Sequence, residues 1–490
     1  MTLNTHAFVR HHLLVVGVKA VLILNTICSS SLGATANAGS ASASQIKLVA
    51  VDPEISRLTN ETLIDRLQDE TQQGTGTHTT AWTSGFPPLD IPAKFSGGVL
   101  GSRAPAKSMV MVELVRRGVG IIPDLLTHLS DARPTKLTVG SGGAFPFMSA
   151  WFSDEYDFRF PEKERQNESA NAVGFGSQRS FSSYTLKVGD LCYVALGEIV
   201  NRQLLAVRYQ PSACLVVNSP VEFPSLARAA RADWSKLSEA EHESSLRADL
   251  EAQRNFWRAP SAIPRLLFYY PQSGQKLVET MLGRPLFDRD AVYHFVLSDL
   301  KETAPERQAM LLGQFRATRG SKYVAALTAI LGEMASDEQP HRAETRKDAA
   351  ELLVRFQPEL RDSEPLASKA VDYRAQNDLV TAMEAFSWSG LEDAILNLYR
   401  NVVQEETPNT IGGRLARGDL ALTCARRLMN HAEAERFAPF FEDMITQLKR
   451  DDATELQSQT KLPLGNAGYH FALTQRIERY GEFLDDLKRR

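Results

Sequence analysis

Asp154-Glu155-Tyr156-Asp157 places three carboxylates within four residues of a loop. Calcium takes several oxygen ligands, so this is a composition it favours, and Asp154, Glu155 and Asp157 are the candidate metal ligands. The chain has no spaced Asp/Asn-and-Gly loop of the EF-hand kind, and the simpler reading is a solvated acidic turn. Other chemistry is poorly formed. Gly140-Ser-Gly-Gly-Ala-Phe145 and Gly97-Gly98-Val-Leu-Gly101 do not complete a dinucleotide fingerprint, and Gly320-Ser-Lys322 has the wrong order for a phosphate loop. No Gly-x-Ser-x-Gly elbow occurs, and Ser141, among glycines, has no identifiable His or Asp partner. The ten histidines are scattered, without a His-Glu-x-x-His or a Cys-x-x-Cys to hold zinc. His128 on a helix and His341 in a turn read as surface or packing residues. No motif asks for a cofactor.

The elements that must position these residues are helices. From Ser108 onward, Val112, Val115 and Val119 share one face, as do Leu125, Leu126 and Leu129, with Pro123 near the start of the second helix. Leu191-Cys192, Ala195-Leu196 and Ile199-Val200 form another apolar face. Helical periodicity then covers 235–252, 276–281, 290–297, 305–317, 321–335, 343–356, 378–386, 390–404, 418–430, 431–450 and 468–487, with short Pro- or Gly-bearing connections. Helix after helix with brief turns is an all-α stacking pattern. Leu204–Tyr209 and Cys214–Val217 are the only plausible strands. Residues 44–107 read as a loosely structured arm or linker, with a short helix near 61–70 and repeated breaks at Pro87-Pro88, Pro92, Gly97-Gly98 and Pro105.

Ile122-Pro-Asp-Leu-Leu-Thr-His-Leu-Ser-Asp131 resembles the first helix and turn of a HEAT repeat. Val188-Gly-Asp-Leu-Cys-Tyr-Val-Ala-Leu-Gly-Glu-Ile199 is similar to the second helix, with Ala195 and Gly197 small enough for close neighbours. Residues 323–334 and 346–353 resemble a further unit. The resemblance covers about a third of the chain. It implies an irregular HEAT-like α-solenoid that binds partners, made of a helical region over 108–260 and a second over 261–490. It carries no catalytic residues to transfer.

With that pairing, residues 132–187 are an insertion between two helices of one repeat. Residues 144–184 hold ten aromatics in 41 positions, a density about threefold that of the whole chain. Trp151, Phe152, Tyr156, Phe158 and Phe160 are the candidate binding residues, because insertions in repeat proteins gather on one face and aromatics dominate contact energy. The same aromatics would equally serve as a cap on the end of the stack.

Residues 1–43 read as an export signal. Arg10, His11, His12 and Lys19 precede an apolar core running to Ile27-Cys28, then small residues and the Ala-x-Ala sites Ala36-Asn-Ala38 and Ala41-Ser-Ala43. The alternative is an uncleaved anchor over 13–27, with Lys19 reaching the interface. Cleavage takes two positive charges and no acids, moving the formal charge from −4 to −6, too acidic overall to suggest nucleic acid. Of four cysteines three remain, an odd number that argues against a disulfide framework. Cys192 and Cys214 could pair, but Cys192 reads more simply as a small buried hydrophobe. The chain as a whole resembles exported bacterial proteins. The expectation is a periplasmic or extracellular, non-catalytic scaffold that binds another protein and has no membrane span after cleavage. Two rivals stand beside it. One is a hydrolase on a helical scaffold, acting on carbohydrate or ester, with Trp151, Phe152 and Trp257 lining a cleft. The other is a calcium-binding surface module.

Overall fold

The computed structural model describes residues 45–71, 86–91, 107–140, 183–209, 215–251, 258–336, 343–357, 360, 370–408, 410–458 and 467–490. Within them the protein is mostly helical, with 18 α-helices and a few short strands. The chain opens with β1 (Gln45–Ile46), α1 (Pro53–Ser56) and α2 (Asn60–Arg66). The Thr59 hydroxyl accepts the Thr62 N–H and so starts α2. Leu63, Ile64, Leu67, Phe86 and Leu89 are fully buried in the main core.

Next come α3 (Met109–Arg116), capped by Ser108, and α4 (Ile122–His128), with Pro123 in its first turn. Val112, Val115, Leu125, Leu126 and Leu129 are buried, as their spacing predicts. β2 (Pro134–Gly140) and β3 (Ser183–Lys187) then pair antiparallel, with Gly140 opposite Ser183. This ribbon corrects the expectation of strands at 204–209 and 214–217 alone. Its alternation is real: Thr135, Leu137 and Val139 point inward while Lys136 and Thr138 are exposed. The pattern is short and sits between a proline and a glycine-rich stretch, which hides it.

α5 (Val188–Val200) follows β3 directly and is buried on every side, touching α2, α3 and α4. A helix apolar all round belongs in the middle of a core. Gly189 is required by close approach: a Cβ there would lie 2.6 Å from the Leu129 carbonyl oxygen and 2.7 Å from Val221 Cγ2. Gly197 works differently from the sequence reading. Its Cβ would meet Arg202 and Leu204, the segment that follows its own helix, at 2.6 and 2.8 Å. β4 (Val207–Tyr209) and β5 (Leu215–Val217) form an antiparallel pair inside the two expected strands.

α6 (Pro224–Trp234), α7 (Glu239–Glu251), α8 (Arg258–Tyr269) and α9 (Pro271–Leu282) lead to a parallel doorway. There β6 (Leu286–Phe287) lies beside β7 (Val371–Asp372). Between the two strands run α10 (Arg289–His294), a π-helical turn over Phe295–Leu300, α11 (Pro305–Arg319), α12 (Ser321–Ala335) and α13 (Ala343–Arg355). This satellite has its own core, from Phe287 to Ala370, with the Phe295 and Phe315 rings stacked 4.0 Å apart.

After β7 come α14 (Tyr373–Ala382), β8 (Phe386–Ser387), α15 (Leu391–Gln404), α16 (Ile411–Arg427), α17 (Ala438–Ser458) and α18 (Ala467–Lys488). β8 pairs with β1, which ties the start of the described chain to this half. α8 packs on α14 and α9 on α15, so the chain that leaves at β6 returns at β7 to continue the same stack. α14 and α15 pack on α16, and α17 on α18.

Candidate functional site

The satellite meets the main body around Asp288, which is 2 % exposed. Asp288 caps α10 by accepting the Ala291 N–H at 3.2 Å. It also accepts the Thr410 hydroxyl at 3.1 Å, and Thr410 in turn caps α16 through the Gly413 N–H at 3.0 Å. One carboxylate thus serves the positive ends of two helices from different cores. Gly412 and Gly413 make this possible, because a Cβ on either would collide with the carboxylate of Asp290 or Asp288. The Asp288 backbone N–H donates to the Tyr323 hydroxyl at 3.2 Å. Burial pushes the Asp288 carboxyl up, against the hydrogen bonds from Ala291 and Thr410.

Around this clasp, Lys322 holds Glu405 through both oxygens, at 2.5 and 2.6 Å. Arg417 turns its guanidinium to the carbonyls of Val402 and Val403 at the end of α15, at 2.8 and 2.9 Å. Burial pushes the Tyr323 and Tyr373 hydroxyls up and the Arg417 guanidinium down. Such clustering of shifted groups marks candidate sites. Here each carboxylate has a structural duty: Asp288 caps helices and Glu405 is locked to Lys322.

Outside the clasp lies a cleft of about 470 Å³, between the turn after α9 and the end of α15. Arg284, Leu286, Asn401, Gln404, Glu405 and Glu406 line it. The Arg284 Nε is buried and has no hydrogen-bond partner among the described residues. The lining contains no histidine, cysteine or serine. Beside Glu405, which Lys322 engages, it offers the Arg284 guanidinium, the Asn401 and Gln404 amides and the Glu406 carboxylate to a ligand, which suits binding.

The two ends of α5 hold a second set of buried polar groups. At its start, Asp190 accepts the Lys187 N–H at 2.8 Å and the Tyr184 hydroxyl at 2.9 Å, both on Oδ2. Burial pushes the carboxyl up to about 6, with hydrogen bonds from Ser219, Lys187 and Tyr184 opposing the rise and Glu222 adding to it. At the other end the helix stops at Asn201, whose φ of 56° is left-handed. Asp249 lies there with Arg202 at 2.6 Å, Asn201 at 2.9 Å and Arg258 at 3.8 Å. His242 spans the Ile199 carbonyl and the Tyr270 hydroxyl, each at 2.9 Å, and burial pushes its pKa down. The neutral ring donates from Nε2 to the carbonyl.

The residues expected from the sequence fall elsewhere. Trp151, Phe152, Tyr156, Phe158 and Phe160, with Asp154, Glu155 and Asp157, lie outside the described residues, as do Ser141, Cys214, Trp257, His341 and the export signal. Tyr184, the last of the ten aromatics, is buried against Asp190. His128 faces Asp131 and Glu61, each at 3.2 Å. Cys192 carries a free, fully buried thiol that burial pushes up. Among the described residues, no group of three His, Cys, Asp or Glu side chains could hold a metal, and no helix is long and apolar enough to cross a membrane.

Sequence reasoning did not find Asp288, Thr410, Lys322, Glu405 or Arg284. The available signals were an Asp at a helix start and a Thr three residues before Gly413, both ordinary caps in isolation. Comparison with protein-family models, curated proteins and solved structures gives no significant match.

Proposed function

We propose that this chain is an exported, non-catalytic helical-repeat scaffold that binds another protein through Trp151, Phe152, Tyr156, Phe158 and Phe160. The observation that carries the reading is the β2–β3 ribbon, which sets Gly140 opposite Ser183 at the head of the central helix. The aromatic stretch therefore leaves and rejoins the core at one place, as an insertion in a repeat does. The stacking of α8 and α9 on α14 and α15 supports a HEAT-like arrangement. Trp151→Ala with Phe152→Ala should remove the adduct that the wild-type chain gives on crosslinking in intact cells, while leaving far-ultraviolet circular dichroism unchanged. Loss of helicity instead would make these rings part of a cap and sink the binding reading. Export is checked separately: the mature chain should begin at Gly39 or Ser44, and finding Met1 by N-terminal sequencing would overturn cleavage.

A helical hydrolase is the second reading, favoured by the gathering of Asp288, Glu405, Tyr323 and Tyr373 behind an open cleft. Turnover of a polysaccharide or ester by the purified chain, abolished in Glu405→Gln while far-ultraviolet circular dichroism and urea unfolding stay unchanged, would establish it.

A further inference from the structure

We propose that the cleft beside Arg284 binds a small zwitterion, such as a free α-amino acid or a dipeptide. Its volume of about 470 Å³ suits a small molecule. One wall carries Arg284, whose guanidinium makes no hydrogen bond or ion pair among the described residues; its Nε is covered, so its terminal nitrogens are the ones open to a ligand. The planar complement of a guanidinium is a carboxylate. The other wall is the end of α15, with Asn401, Gln404, Glu405 and Glu406. Lys322 neutralises Glu405 and Arg417 occupies the carbonyls of Val402 and Val403. Glu406, exposed at the rim, is the acid of this wall that no ion pair engages among the described residues. A bare anion entering the cleft would be repelled by Glu406, and a bare cation by Arg284. A ligand with both charges satisfies both walls. The side chains involved are separate from the aromatic stretch, so this inference does not depend on the protein-binding reading.

The test is calorimetric titration of the full chain with the common L-amino acids and L-Ala-L-Ala. N-acetylated and C-amidated forms of any binder serve as single-charge controls. At least one zwitterion should bind saturably, and each control should bind roughly tenfold more weakly or worse. Arg284→Gln and Glu406→Gln should each weaken binding by a similar factor. Glu406 is exposed, so its variant reports on the site even where Arg284→Gln fails to fold. No binding at about 10 mM, binding unchanged by Glu406→Gln, or an N-acetylated form binding as well as its parent would overturn the proposal.

Discussion

The two ends of α5 each bury an aspartate, and the two are treated in opposite ways. Asp249 meets Arg202 and Arg258 along with the Asn201 amide, so its charge is compensated where it lies. Asp190 instead meets neutral donors, the Lys187 N–H and the hydroxyls of Tyr184 and Ser219. Position explains part of the difference. Asp190 sits in the first turn of α5, where the helix end itself supplies positive potential, whereas Asp249 faces the carbonyl end and needs cations. Both aspartates are buried, and this chain solves the two ends with different chemistry.

The largest effect should come from breaking the compensated end. Asp249→Ala leaves Arg202 buried with no carboxylate, and stability should fall by about 3 to 5 kcal/mol in urea unfolding. A loss under about 1 kcal/mol would mean that water reaches Arg202 and that the two ends are alike.

Next is the pH response of the other end. The folded Asp190 carboxyl is raised to about 6, above its ordinary value, so the neutral form is favoured by folding. Its contribution is fully present below about pH 4 and is lost as pH rises through about 6. Relative to Asp190→Asn, the unfolding free energy of the wild type should drop by about 3 kcal/mol between those limits. Parallel curves for the two proteins across this window would show that Asp190 titrates as it does in the unfolded chain.

The smallest effect sharpens the contrast. Tyr184→Phe removes a hydrogen bond that favours the charged form, costing about 1 to 2 kcal/mol at neutral pH and moving the titration of Asp190 upward. The same change should leave the Asp249 end untouched, which hydrogen exchange at Asn201 and Arg202 would report.

Much of the helical skeleton was legible. α12 begins and ends where Gly320 and the apolar period of residues 323–334 place it, and α15 starts one residue after the expected Gly390. Helices whose apolar period is weak or interrupted were not. α6 was missed because its apolar positions are mostly alanine, and α16 begins at Ile411, before a Gly412-Gly413 pair that reads as a turn. The clasp was hidden for another reason. Asp288 and Thr410 are 122 positions apart, and Lys322 and Glu405 are 83 apart, so no local pattern links them. The aromatic residues chosen as a binding surface lie outside the described residues.

The parallel doorway has a mechanical consequence. β6 and β7 lie side by side, bound also by the Val371 N–H to the Pro285 carbonyl at 2.8 Å. Tension applied between the two halves of the main body would be shared between these few bonds, loaded in shear, and the packing of α8 on α14 and α9 on α15. While the strands and the Asp288–Thr410 clasp hold, the satellite carries little of that force. When they part, its small core joins the path of the load.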